Sequence, residues 1–249
     1  MKETELDQLN ELRLTVLKDN SKRAKTLMVV FWVFIGLNLL GSLGNYYTLQ
    51  IMQKAQMGEY VAEQEAFTSQ LISGATSLVQ LGLFITTAVV FLNWFRRAYG
   101  NLHRLGITYL RHKESMAVWA WFIPIVWFYR PVQIMLEIWT ETQEKIKKYD
   151  PTFPIKSGGL LIGVWWTLFT AQNIADNIVF RAGLNQQTFE ELVNNLELNI
   201  ITELFRVPEA LLVILIVYTV SKMEARLAEE VQNAGVNAGI APPAPVLET

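Results

Sequence analysis

The sequence predicts an all-α integral membrane helical bundle: four transmembrane helices plus one short broken helix that is re-entrant or interfacial. Three observations carry this prediction. The chain is 51% hydrophobic and only 18% charged, whereas soluble domains carry nearer a quarter charged residues. Four apolar segments, residues 26–49, 71–94, 158–180 and 201–220, are each long enough to cross ~30 Å of hydrocarbon at ~1.5 Å per helical residue. Basic residues are sorted between the intervening segments, which fixes a topology.

Residues 1–25 come first, acidic at the start and basic at the end, with Leu6, Leu9, Leu12, Val16 and Leu17 at helical spacing. This pattern predicts an amphipathic helix on the cytoplasmic surface. Residues 26–225 then form the membrane domain. Its first span carries Asn38, Gly41 and Asn45 on one face, small and polar as helix contacts in membranes tend to be. Its second carries Gly74, Ser77 and Gln80 in the same way and exits through Trp94, Arg96, Arg97 and Arg104. Trp94 and the arginines suit the lipid interface, and Gly106 suits a helix C-terminus.

The stretch from Ala117 to Tyr129 is uninterruptedly apolar and aromatic, then broken by Arg130-Pro131. At ~20 Å of helix it is too short to span. It is therefore read as a re-entrant or interfacial segment over 117–130, followed by a cytoplasmic helix over 131–149 that starts at Pro131. Val132, Met135, Leu136, Trp139 and Ile146 mark that helix's apolar stripe. Ser157 can cap the third span, where Gly159 and Gly163 form a G-x-x-x-G packing face. Residues 226–249 are rich in Ala, Gly and Pro towards the end and are expected to be a flexible tail.

If 117–130 enters and leaves on one side, 18 of the 21 Lys and Arg fall on the cytoplasmic side, all but Lys54, Arg181 and Arg206. Both termini are then cytoplasmic. The net charge of -2 gives no field for nucleic acid. The absence of cysteine excludes disulfides and thiolate chemistry.

The run Trp94, Arg97, Ala98, Asn101, Leu105, Gly106, followed by Trp121, Pro124, Pro131, Met135 and Glu137, resembles a bacterial membrane family known as domain of unknown function 4328. Trp165-Trp166 is similar too, so the resemblance covers about residues 70–225. It implies a multi-pass protein of a bacterial cytoplasmic membrane and no particular activity.

Two groups of residues stand out. At ~1.5 Å per residue from the inner boundary, Asn38, Gln80, Asn173 and Arg206 all reach ~20–24 Å, with Asp176, Glu203 and Glu209 at neighbouring levels. Ionisable groups there cost about 2.5–3.5 kcal/mol each at the bilayer centre and are expected to pair. The pairs expected are Asp176–Arg206 or Glu203–Arg206. The second group is the insert and its flank: Trp94, Arg97, Asn101, Gly106, Trp121, Pro124, Arg130 and Pro131. Within it, Arg97 and Asn101 either bond backbone freed at Pro124 or Pro131 or contact lipid headgroups. No catalytic motif is visible, so no enzyme, cofactor or metal is expected. The expected role is structural or partner-binding, the partners being the bilayer, a second copy of the chain, or another membrane or cytoplasmic protein. The alternative is a channel or transporter for an ion or small solute, with the polar layer as an outer vestibule.

Overall fold

The computed structural model describes residues 17–185 and 187–237, with side chains up to residue 234. Most of the predicted amphipathic helix at 1–25, namely residues 1–16, and the last part of the predicted tail, 238–249, lie outside the described residues. The described chain is all-helical, with no strand. It consists of α1 (Ser21–Gln56), α2 (Glu63–Arg104), α3 (Met116–Trp119), a 3-10 turn (Val126–Phe128), α4 (Arg130–Tyr149), α5 (Gly159–Leu184) and α6 (Phe189–Asn237).

The helix ends follow local chemistry. The Asp19 carboxylate accepts the Ser21 N–H at 2.9 Å, and this bond draws its pKa below the usual value. Glu63 and Glu65 stand in the first turn of α2, where negative charge meets the positive end of the helix dipole. That helix ends as expected: Gly106 adopts φ +67°, a conformation only glycine takes at little cost. Asp150, ahead of Pro151, is extended and stops α4. The Ser157 hydroxyl accepts the Gly159 N–H at 3.4 Å. At α6, Thr188 and Glu191 exchange bonds in a capping box, at 3.2 Å and 3.1 Å.

Two helices, α1 and α2, are long and apolar enough to cross a membrane, and only 28% and 11% of their most apolar stretches are buried. The other two expected spans, 158–180 and 201–220, lie within α5 and α6, where Gln172, Asn173 and Asp176, and Glu203, Arg206 and Glu209, interrupt the apolar run. Four helices run beyond their predicted limits. Most notably, α6 continues to Asn237, so residues 226–237 are helix and not flexible tail; Arg226 there pairs with Glu230 at 2.7 Å, an i,i+4 contact that supports helix.

The chain divides into two compact units. The first takes residues up to Lys25, Leu92–Ile162 and Ile216 onward. Its core is built from Trp94, Phe95, Tyr99 and Leu102 of α2, Ile134, Met135, Ile138 and Ile146 of α4, and Val217 and Val220 of α6. Trp94 is therefore wholly buried and not at a lipid interface: the apolar core of this unit claims the indole. The buried face of α4 runs through Pro131, Ile134, Met135, Ile138, Trp139, Thr142, Gln143 and Ile146, so Val132 and Leu136 of the predicted stripe sit at its margin. The single proton of the Tyr99 hydroxyl is shared between the Glu137 carboxylate at 2.7 Å and the His112 carbonyl at 3.0 Å; burial first, then the Glu137 bond, raises its pKa.

The second unit takes Thr26–Phe91 and Gly163–Leu215. In it α1 approaches α2 through glycine: a Cβ on Gly44 would lie 2.7 Å from Ile72 Cγ2, and one on Gly41 would lie 3.0 Å from Thr76 Cγ2. On α2, Gly74 and Ser77 of the predicted contact stripe are exposed. The meeting face is instead Ile72, Ser73, Thr76 and Gln80. A Cβ on Gly163 would meet nothing of this chain within 4 Å, and one on Gly159 only the Ser157 hydroxyl at 3.7 Å. The close glycine of α5's approach is Gly158, where a Cβ would lie 2.6 Å from the Trp139 ring.

Candidate functional site

In the second unit, two helices bring polar groups to a carboxyl carried by a third. Glu203 of α6 is 3% exposed. It accepts hydrogen bonds from the Ser42 hydroxyl at 2.9 Å, from Asn45 Nδ2 at 2.9 Å, and from Gln80 Nε2. Ser42 and Asn45 lie on α1 one turn apart, so helical spacing alone aims both at α6. One turn on in α6, Arg206 Nη2 donates to Asp176 Oδ1 of α5 at 2.8 Å, and Gln172 Nε2 donates to the same carboxylate at 2.9 Å. Each of the four long helices thus supplies a polar group to the lattice.

Of the outer polar residues that the sequence singles out, Gln80 and Glu203 meet, and Asp176 and Arg206 form the expected pair. Asn38 and Asn173 join neither group: their side-chain amides donate to Phe34 and Phe169 carbonyls of their own helices, each at 2.8 Å. Asn in a helix can satisfy itself locally in this way. Ser42 is the member that sequence reasoning misses, although it follows Asn38 by one turn on the same face.

A second carboxyl cluster lies in the first unit. Glu224 of α6 accepts from Asn20 Nδ2 at 3.1 Å and from Asn101 Nδ2 at 3.2 Å. Asn20 also donates to the Trp94 carbonyl at 3.3 Å. Asn101 clasps the backbone of Lys18, donating to its carbonyl at 3.0 Å and accepting its N–H at 3.1 Å. Asn101 therefore does not bond backbone freed at Pro124 or Pro131. The chain entering α1 offers it a paired donor and acceptor, which a carboxamide satisfies with both ends at once. A cavity of about 170 Å³ opens beside this cluster, lined by Asn20, Asn101, Leu102, Thr142, Ser221 and Glu224 among others. Burial pushes the Glu224 carboxyl up to about 7, against the Asn20 and Asn101 bonds and the Arg97 charge, which pull it down.

The insert is broken more thoroughly than its sequence implies. After the single turn of α3, residues 120–129 run through turns, with Ile125 at φ +68°. A β-branched residue there is strained by about 1–3 kcal/mol. Trp119, Phe122, Ile123, Ile125, Phe128 and Tyr129 are exposed, as is Pro124. Trp127 and Phe128 stack at 3.9 Å, and the Trp121 ring meets Phe95 edge-on at 5.9 Å. Pro131 is buried in the first turn of α4.

Against known families, residues 58–222 match the model of a family described as Domain of unknown function (DUF4328). No curated protein and no solved structure matches the chain.

Proposed function

The chain belongs to the DUF4328 family, and from that premise we propose that it is a four-span protein of a bacterial cytoplasmic membrane, with a structural or partner-binding role. The observation that carries the role is the burial of Glu203 among Ser42, Asn45 and Gln80. Polar groups lining a conducting vestibule stay wet; here donors and acceptor are matched to one another inside the unit. At membrane depth, interhelical hydrogen bonds of this kind act as glue, worth about 0.6–2 kcal/mol each. The lattice sets the register of α1, α2, α5 and α6, and a bundle held in register is a scaffold for a protein partner or a second copy of the chain.

The four-span topology draws support from charge. Every described Lys and Arg lies in the first unit except Lys54, Arg181 and Arg206. The second unit, nearly free of basic residues, exposes apolar side chains on all four long helices, among them Leu40, Leu78, Phe180 and Leu211. That combination fits a lipid-facing bundle with the basic unit in the cytoplasm.

Purified protein in liposomes tests the role. Wild type is expected to pass neither protons nor potassium, and Glu203→Ala to lose thermal stability in detergent. An ion flux that Glu203→Gln abolishes while stability stays unchanged would instead establish the channel reading.

A further inference from the structure

The segment joining α3 to α4 presents six exposed large apolar residues, Trp119, Phe122, Ile123, Ile125, Phe128 and Tyr129. No Asp or Glu occurs from Met116 to Leu136, so nothing acidic in the stretch opposes an anionic surface. Its backbone is turns, with Ile125 held at positive φ at the most exposed point, 76%. Backbone of that kind is poorly suited to the hydrocarbon interior, where only a continuous hydrogen-bond ladder is satisfied. Exposed Trp and Tyr favour the headgroup level.

At the base of this loop stands Arg130. Its guanidinium is half-buried, Nη1 reaches only the Met116 thioether at 3.8 Å, and Nε is buried without a hydrogen-bond partner. Among the described residues no carboxylate pairs with it. Thioether sulfur is a weak acceptor for a charged fork of five donors. Arg130 also opens α4, so the positive end of a 20-residue helix faces the same place. The unanswered chemistry is that of a phosphate.

We propose that residues 119–130 form a wedge seated in the headgroup layer of an anionic bilayer leaflet, with the Arg130 guanidinium bonding a lipid phosphate. This rests on the membrane topology above, and commits the insert to an interfacial place rather than a re-entrant one. The aromatic side chains supply apolar contact, Ile125 marks the depth of penetration, and Arg130 supplies the preference for anionic lipid.

The chain has no cysteine, so single labels can be placed freely. The full-length protein carrying Ile125→Cys or Phe84→Cys, each with an environment-sensitive fluorophore, is reconstituted into nanodiscs of phosphatidylcholine with or without phosphatidylglycerol. Phe84 is exposed and lies ~18 Å along the second span from Arg96, near the middle of the hydrocarbon. Quenchers attached at headgroup or mid-chain level then report depth. The Phe84 label should be quenched from mid-chain and the Ile125 label from the headgroup level. Phosphatidylglycerol should raise the inserted-to-exposed ratio at Ile125 about fivefold, and Arg130→Gln should remove that rise. A Phe84 label untouched by mid-chain quenchers overturns the membrane reading itself. With Phe84 quenched, an Ile125 label left in water, quenched from mid-chain, or indifferent to either phosphatidylglycerol or Arg130→Gln overturns the wedge alone.

Discussion

Replacing Glu224 by Gln should remove the share of the pH dependence of stability that its carboxyl carries between about pH 5 and pH 8. Burial lifts the Glu224 carboxyl from 4.5 to about 7 in the folded protein, so the native state holds a proton that the unfolded state has released. Stability from this group is fully present below 4.5 and is lost as pH rises through about 7. The interval corresponds to about 3 kcal/mol at 1.36 kcal/mol per unit. For a chain of this size that is a fall of roughly 6–12 °C in Tm. The carboxamide of Gln cannot ionise. One of its ends, however, must set an NH2 against Asn20 or Asn101 Nδ2, at a cost of about 1 kcal/mol. Below about pH 4.5 the variant is then about 1 kcal/mol less stable than wild type, and near pH 8 about 2 kcal/mol more stable, so the two curves cross. Thermal unfolding followed by far-UV circular dichroism in one detergent, across that range, measures both. Every other titrating group is common to the two proteins, so parallel curves would refute the assignment of the dependence to Glu224.

Arg206→Leu should destabilise the detergent-extracted protein by about 3 kcal/mol because it strands Asp176, and the double variant with Asp176→Leu should recover much of that loss; thermal shift on the three variants checks it. Gly158→Ala should cost about 1–3 kcal/mol, since its Cβ would lie 2.6 Å from the Trp139 ring. Gly163→Ala, with open space around it, should leave monomer stability unchanged within about 0.5 kcal/mol by the same assay. Asn101→Leu should cost about 1–3 kcal/mol and expose the 17–20 segment to limited proteolysis, because the clasp on Lys18 and a bond to Glu224 are lost together.

Helix existence is legible along most of the chain because hydrophobic length signals it directly, and helix ends are not. An apolar run has an end in composition, but nothing in the backbone stops there. Gln50, Gln53 and Lys54 are good helix formers, and α1 continues through them to Gln56. The same holds beyond Arg226, where Glu229, Glu230 and Leu227 keep α6 intact. Within the candidate site, Glu203, Arg206 and Asp176 stand out because a charge inside an apolar run is conspicuous. Their neutral partners Ser42 and Asn45 look like packing residues, since a hydroxyl or amide on a small face serves either purpose. Glu224 escapes notice for the opposite reason. It follows the last apolar run in a stretch of ordinary surface character, and its partner Asn20 is 204 residues away.

Charge explains why one half of the reading is available from sequence and the other is not. On the four-span reading proposed above, Lys and Arg are decisive where a bilayer forbids them, and positive charge divides the chain into the same two sets of segments that the fold separates. Lys54, Arg181 and Arg206 are the exceptions in both. Inside the basic unit that rule has no further content. Its core is built as a water-soluble core is, by α4 turning one face inward and by Trp94 leaving the interface for which its position in the sequence marks it. Arg130 is the residue that both readings leave unanswered: too polar for the aromatic run that contains it, and in the fold unmatched by any described carboxylate. A lipid phosphate at the headgroup level answers both at once.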